Sequence, residues 1–229
     1  AGQAASAVGA VLVVICMVLV YGTLGVIANI ALFANVALIV AILSLLGATL
    51  TLPGIAGIVL TMGMAVDSNV IIFERVREER AQGRSMIQSF DSGFQRALAT
   101  VVDANLTTFI VAVILFYMGT GPVRGFAVTL GIGIVTTVFT AFTLTRWLVA
   151  FWHRKWRPTE FPKGLVHYLP LNPSVPFMKW RNVGFAISGI ASIAVLGLIA
   201  VSDFNYGIDF RGGSLIEVQA RAGTADPGD

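Results

Sequence analysis

The sequence predicts an all-α, polytopic membrane protein with six transmembrane helices. Of its 229 residues, 56% are hydrophobic and only 12% are charged, whereas soluble domains carry about 25% charged residues. Its apolar runs approach the roughly 20 residues that a helix needs to cross a bilayer. The alternation of apolar and polar residues that marks membrane β-strands is absent from the sequence, so the predicted spans are helices.

The first two predicted spans lie in a long segment without charge. They cover about residues 8–27 and 29–46, and the first 66 residues contain no Asp, Glu, Lys, Arg or His. Gly22 and Gly25 mark either the end of the first helix or a close contact between helices, since small residues allow helices to approach each other in lipid.

The third predicted span, residues 53–73, contains the first charge in the chain. Proline is well placed at the start of a helix, so Pro53 marks the beginning of this span. Asp67 follows 14 residues later, which is about 21 Å along a helix. The carboxylate is therefore predicted roughly two thirds of the way across the hydrocarbon core.

Three further spans are predicted, over residues 97–118, 126–148 and 183–201. A polar, amphipathic segment, residues 74–96, connects the third span to the fourth. Its charged residues are expected to form a solvated face with local ion pairs. Residues 151–182 are predicted to be a cytoplasmic linker between the fifth and sixth spans.

The distribution of basic residues predicts the orientation in the membrane. Segments 74–96 and 146–181 hold 5 and 7 of the 15 Lys and Arg residues. By the positive-inside rule, both segments face the cytoplasm. Alternation then places the start of the third span, and residues 202–229, on the opposite side.

The candidate proton-coupling site consists of six polar side chains in the third span and at the start of the fourth. They are Asp67, Asn69, Asp103, Asn105, Thr107 and Thr108. Intramembrane ionisable residues mark ion or proton pathways by default, so Asp67 is predicted to bind and release a proton. A structural hydrogen bond to a neighbouring helix is the alternative for Asp67, and capping of a helix N-terminus is the alternative for Asp103.

Helix geometry constrains which of these side chains can act together. The third and fourth spans are joined on the cytoplasmic side, so the carboxyl groups of Asp67 and Asp103 are expected at similar depth. Asn69 is offset about 200° from Asp67 around the helix, so these two side chains cannot face one partner.

Small residues on the third span predict close helix packing. Gly54, Gly57 and Thr61 share one face of the helix. Gly63 precedes Asp67 by four residues and could bring a neighbouring backbone close to the carboxylate.

No metal or other cofactor is expected. Cys16 is the only cysteine, and His153 and His167 are 14 residues apart, which fits no metal-ligand pattern. The net charge of +3 is modest, and most of the basic residues fall in two clusters, which indicates membrane orientation rather than nucleic-acid binding.

Two long motifs resemble SecD, a membrane component of bacterial protein export. They read GMAVDSNVIIFERVREER at residues 63–80 and DANLTTFIVAVILFYMGTGPVRGFAVTLGIGI at residues 103–134. Two further motifs resemble the start of SecF, and read LNPSVPFMKWRN at residues 171–182 and DFNYGIDFRGGSLIEV at residues 203–218. The chain thus resembles the SecD/SecF family, in the fused arrangement that carries both parts in one polypeptide.

This resemblance implies a domain organisation within the RND superfamily of proton-driven transporters. Residues 1–150 correspond to a SecD-like membrane bundle of five helices, and residues 183–201 to the first SecF-like helix. Residues 202–229 correspond to the start of a periplasmic domain. We therefore expect one RND-type half-bundle with the first helix of the second half, and we expect the chain to be a fragment of a longer protein.

The resemblance also implies a function. The family members are accessory subunits of the Sec pathway that use the proton-motive force to promote preprotein export across the bacterial inner membrane. The proton is the coupling ion, and no enzymatic activity is implied. The expected partners are the SecYEG channel, the ATPase SecA, YajC, YidC, the translocating preprotein and the lipid membrane.

The proton-linked aspartate of the family lies in an AVDxN motif, which corresponds here to Asp67 and Asn69. Ser68 stands where family members usually have Ala, a small change that leaves the correspondence intact. The polar pattern of the next family helix corresponds to Asp103, Asn105, Thr107 and Thr108. The basic residue that the family places opposite the aspartate falls outside this chain.

Two other functions remain open. One is small-molecule efflux by an RND-family transporter. The other is intramembrane aspartyl proteolysis, in which Asp67 and Asp103 would form a dyad that shares a proton. Such proteases carry a GxGD motif, whereas the residues before Asp67 are GMAV.

Overall fold

The structure, a computed structural model, describes residues 2–48, 50–158, 161–162, 164 and 177–201. In these ranges the backbone forms α-helices and no strand, which confirms the predicted all-α fold. The helices are α1 (Gly2–Tyr21), α2 (Thr23–Leu45), α3 (Leu52–Ala81), α4 (Met86–Met118), α5 (Gly121–Phe139), α6 (Arg146–Trp156) and α7 (Arg181–Val201). A π turn (Thr140–Thr145) joins α5 to α6, and a 3₁₀ turn (Phe177–Trp180) precedes α7.

Five helical segments of the described chain are long and apolar enough to cross a membrane. They are Thr23–Leu45, Leu52–Ala81, Met86–Met118, Gly121–Trp156 and Met178–Val201. The first of the six predicted spans corresponds to a shorter apolar helix, Val8–Tyr21. The chain is therefore a multi-pass membrane protein.

The chain divides into two compact units, Ala1–Pro170 and Leu171–Asp229. The first unit contains α1 to α6, and the second contains the 3₁₀ turn and α7. Of the predicted linker, residues 159–160, 163 and 165–176 lie outside the described residues, as does the predicted periplasmic segment at 202–229. Residues 151–156 of that linker belong to α6, and residues 177–182 belong to the 3₁₀ turn and the start of α7.

The first two helices form a hairpin whose boundary differs from the predicted one. The first helix ends at Tyr21 rather than at residue 27, because Gly22 takes a φ of 58°, which favours glycine. Gly25 lies inside α2, where a Cβ atom would overlap the backbone of Met17. One glycine therefore ends the helix, and the other allows a close helix contact.

The polar segment between the third and fourth predicted spans is mostly helical. Helix α3 continues to Ala81, and α4 begins at Met86 rather than at residue 97. Ser85 caps α4 through a capping box with Gln88, in which each side chain bonds the other residue's backbone N–H. The short turn between the helices contains Gly83, with a φ of 84°.

Helix α3 occupies the centre of the first unit and contacts α1, α2, α4, α5 and the π turn. Its predicted small-residue face packs on α5. Gly57 lies against Thr129 and Phe126, and a Cβ atom at Gly133 would overlap the side chain of Thr61. Such close approaches are typical of helix packing in lipid, where van der Waals contact replaces the hydrophobic effect between helices.

The largest apolar cluster joins α1, α2, α3, α4, the π turn and α6. Its fully buried members include Leu24, Ile72, Phe73 and Val76. Gly93 of α4 lets that helix approach the backbone of Val76. The cluster therefore packs α3 against its neighbouring helices just beyond Asp67.

Candidate intramembrane carboxylate site

Asp67 lies on the face of α3 that does not pack within the bundle. Its side chain is exposed, whereas the neighbouring Ala65 and Ser68 are 3% and 2% exposed. No hydrogen bond or ion pair in the described part of the chain involves the carboxylate. Gly63, one turn earlier on the same face, has no atom within 4 Å of a Cβ built on it. The expectation that Gly63 brings a neighbouring backbone to Asp67 is therefore not met by any described residue.

Asn69 points in the opposite direction, as its offset around the helix predicts. It is 2% exposed. Its Nδ2 donates to the Ala65 carbonyl at 3.1 Å, and its Oδ1 accepts from the Thr145 hydroxyl at 3.0 Å. Asn69 is thus a buried contact between α3 and the π turn rather than a neighbour of the Asp67 carboxylate.

Asp103 is also exposed, in the middle of α4. The helix begins at Met86 and is capped by Ser85, so the alternative role of Asp103 as an N-terminal cap is wrong. The Thr107 hydroxyl donates to the Asp103 carbonyl at 3.2 Å. No hydrogen bond or ion pair between the carboxylates of Asp103 and Asp67 occurs among the described residues.

Asn105 and Thr108 complete the predicted set. Asn105 is 7% exposed and donates to the Val101 carbonyl at 2.8 Å, while its Oδ1 is buried without a hydrogen bond from any described group. Thr108 is half-buried and donates to the Ala104 carbonyl at 3.4 Å. The two carboxylates and Thr107 therefore face outward, whereas both asparagines face the bundle.

Sequence reasoning missed a second buried polar contact. Asn35 of α2 donates through Nδ2 to the Thr137 hydroxyl at 3.0 Å, and both side chains are 0% exposed. The signal was present, because an asparagine in an otherwise apolar span is costly unless it is hydrogen-bonded. The threonine partner lies 102 residues away and has no local mark in the sequence.

The charged C-terminal end of α3 is only partly the predicted solvated face. Arg75 and Glu78 form an exposed ion pair at 2.8 Å, as expected. Glu79, in contrast, has a side chain only 2% exposed, and it pairs with Arg84 at 2.8 Å and Arg96 at 2.6 Å. The prediction of a wholly solvated segment was wrong for Glu79, because α4 folds back over it.

The described residues contain no group of three His, Cys, Asp or Glu side chains that could hold a metal ion. The outward faces of α3 and α4 each carry one carboxylate, those of Asp67 and Asp103. A carboxylate facing hydrocarbon costs roughly 2.5–3.5 kcal/mol, so an open face carrying one is expected to be covered by protein or water.

Comparison with known proteins gives two matches to family models. Residues 1–155 match the C-terminal family of the protein export membrane proteins SecD and SecF. Residues 197–223 match the SecD/SecF GG motif.

Individual relatives match over most of the chain. It is 50% identical over 222 residues to the protein translocase subunit SecDF of Brucella abortus, covering 97% of this chain and 29% of that protein. It is 56% identical over 162 residues to the subunit SecD of Acetobacter pasteurianus, covering 71% of this chain and 31% of the relative. The chain thus spans about a third of the length of these relatives.

A solved structure has the same fold. The crystal structure of SecDF from Thermus thermophilus, described as a translocon-associated membrane protein, superposes with a TM-score of 0.85 at 38% identity. The match covers 93% of this chain and 29% of that one.

Proposed function

The chain belongs to the SecD/SecF family of protein-export membrane proteins, and from this premise we propose that it forms part of a proton-driven accessory subunit of the Sec pathway. The order of the two family matches along the chain fits a fused SecD–SecF polypeptide. In this role the protein uses the proton-motive force to promote preprotein export across the bacterial inner membrane and is not an enzyme.

The observation that carries the proposal is the outward position of Asp67. An apolar, centrally packed helix keeps one carboxylate on its unpacked face, beside the unfilled space at Gly63. Because a bare carboxylate is costly in hydrocarbon, we infer that another part of the full-length protein covers this face. The match covers only 29% and 31% of the two relatives described above, so most of each relative lies outside the matched region and could supply such a cover.

The proposed chemistry is reversible protonation of Asp67. Protonation removes a charge from the interface between α3 and its cover, which lowers the cost of burying the carboxyl group. The two forms of the residue therefore favour different packings of this interface. Asp103 and Thr107, exposed on the adjacent helix, provide a second carboxylate and a hydroxyl for the same proton route.

The proposed partners are those of the Sec pathway: the SecYEG channel, SecA, YajC, YidC and the preprotein in transit.

Two observations weigh against the two alternative functions, small-molecule efflux and aspartyl proteolysis. The relatives compared above are named protein translocase subunits rather than efflux transporters. An aspartyl protease needs two carboxyl groups close enough to share a proton, and Asp67 and Asp103 make no such contact among the described residues.

The test is the Asp67→Asn variant of the full-length protein, assayed for preprotein export by membrane vesicles with and without a proton-motive force. The expected result is loss of the proton-dependent part of export, with the part driven by ATP retained. Glu78→Gln is the matched control, because it removes an exposed carboxylate from the same helix. Wild-type proton-dependent export by Asp67→Asn would overturn the proposal.

A further inference from the structure

Two buried amide–hydroxyl hydrogen bonds tie the chain around the π turn to two other helices, one through Thr137 at the end of α5 and one through Thr145 in the π turn. We propose that the bond from Thr145 to Asn69 makes Asn69 a positioning residue, which couples movement of the Asp67 helix to the π turn and α6. This inference rests on the proposed function, since it assigns a path from the proton-binding residue into the bundle.

The first argument is the direction in which Thr145 donates. Three other buried threonines of α5 and the π turn, Thr129, Thr136 and Thr140, donate to carbonyls of their own helix. Thr145 instead donates across to Asn69 Oδ1 at 3.0 Å, and it is 0% exposed. A buried threonine hydroxyl can donate to a carbonyl of its own helix one turn earlier. Because Thr145 donates to another helix instead, its hydrogen bond indicates a specific link between the two helices.

The second argument is that both ends of the π turn are held. Thr137, three residues before the turn, accepts from Asn35 of α2 at 3.0 Å. Thr145, the last residue of the turn, is bonded to α3. The irregular segment therefore lies between one anchor on α2 and another on α3. π turns inside α-helices are rare and occur frequently at functional sites.

The third argument is the arrangement of Asp67 and Asn69 on α3. The carboxylate faces the unpacked side, and the amide two residues later faces the π turn. A shift or rotation of α3 that accompanies proton binding must either carry Thr145 along or break its hydrogen bond. Helix α6 follows Thr145 directly, and its last turn contains the basic residues His153, Arg154 and Lys155, so a movement carried by Thr145 reaches the basic end of α6.

The experiment uses full-length protein in membrane vesicles and measures two quantities, the proton flux and the preprotein exported per proton. Thr145→Val removes the hydroxyl with little change in shape. We expect the proton flux to stay within twofold of wild type and the export per proton to fall about fivefold, which is the scale of one lost hydrogen bond. Thr145→Ser keeps the donor and should restore export per proton to within twofold of wild type.

Thr140→Val is the matched control, because Thr140 is a buried residue of the same π turn whose hydroxyl bonds only to its own helix. It should leave both quantities within twofold of wild type. If Thr145→Val does not accumulate in the membrane, Thr145→Ala removes the same hydroxyl with less steric demand.

Three results would overturn the inference: wild-type export per proton in Thr145→Val and Thr145→Ala, equal losses in Thr145→Val and Thr140→Val, or loss of the proton flux itself in the Thr145 variants. Failure of the proposed function gives a different result, namely wild-type proton flux in Asp67→Asn. The two hypotheses are therefore separable within one set of vesicles.

Discussion

The carboxylate of Glu79 lies 2.6 Å from the guanidinium of Arg96, so a buried charge on α3 is held by a cation from α4. Arg84, in the turn between the helices, approaches the other carboxylate oxygen at 2.8 Å and also donates to Ser92. The carboxylate is almost fully buried while both cations are partly exposed. This cluster joins the C-terminal end of α3, which carries Asp67, to the N-terminal part of α4, which carries Asp103.

Replacing Glu79 by Gln should destabilise the protein. The substitution removes the acceptor of two charged contacts but leaves both arginines in reach of water, so the expected loss is about 1–2 kcal/mol. The measurement is thermal unfolding of the full-length protein in detergent. Glu78→Gln, which disrupts an exposed pair with Arg75, should change stability by less than about 1 kcal/mol. Equal effects of the two substitutions would show that burial of Glu79 is unimportant.

Gly133→Ala should disrupt the packing of α5 on α3. The added methyl group would overlap the side chain of Thr61, and overpacking of this kind costs typically about 1–3 kcal/mol. Gly131→Ala is the control on the same helix, because its Cβ atom would make only an ordinary contact with Phe109 at 3.8 Å. Thermal unfolding of both variants in detergent tests the prediction. A Gly133→Ala protein as stable as the Gly131→Ala protein contradicts it.

The capping box at the start of α4 should contribute measurably to stability. Ser85→Ala removes the side-chain acceptor for the Gln88 backbone N–H, and the loss of such a cap costs about 1 kcal/mol. Thr120 occupies the corresponding position of α5 but makes no capping hydrogen bond. Thr120→Ala is therefore expected to leave the unfolding temperature unchanged. If both variants lose the same stability, the capping interaction is not the cause.

Asp103→Asn should reduce proton-dependent export by less than Asp67→Asn does. Asp103 is exposed on α4 and lies on the proposed proton route. Its helix, unlike α3, does not occupy the centre of the bundle. The comparison is made in the same vesicle assay, with Asp91→Asn as the control. Asp91 belongs to the same helix and forms an exposed ion pair with Arg146 at 2.8 Å, so its loss should have little effect. Proton-dependent export at the wild-type rate in Asp103→Asn would show that Asp103 is not part of the proton route.

Much of the fold could be predicted from the sequence because its signals are local. Apolar length identifies the spans, Pro53 lies within one residue of the start of α3, and Gly22 ends α1. The predicted end of α3 and the predicted start of α4 were less accurate, because both helices continue into the polar segment between them. Hydropathy marks where a helix leaves the membrane, and it does not mark where the helix stops.

The sequence predicts the directions of side chains on one helix only relative to each other, and it does not predict which of them point into the bundle. The offset between Asp67 and Asn69 follows from helix geometry, but a span that is apolar all round does not reveal which side packs. The contacts Asn69–Thr145 and Asn35–Thr137 join residues 76 and 102 positions apart. Glu79 was missed for a related reason, because its burial depends on α4 folding over it and not on its charged neighbours in the sequence.

The central claim is that Asp67 carries the proton that drives export, and proton flux tests it most directly. Full-length protein in vesicles is supplied with a preprotein in transit, and proton entry is followed with a pH-sensitive dye. We predict that Asp67→Asn reduces the flux to that of vesicles without the protein, while Glu78→Gln conducts like wild type. Proton flux at the wild-type rate in Asp67→Asn would contradict the claim.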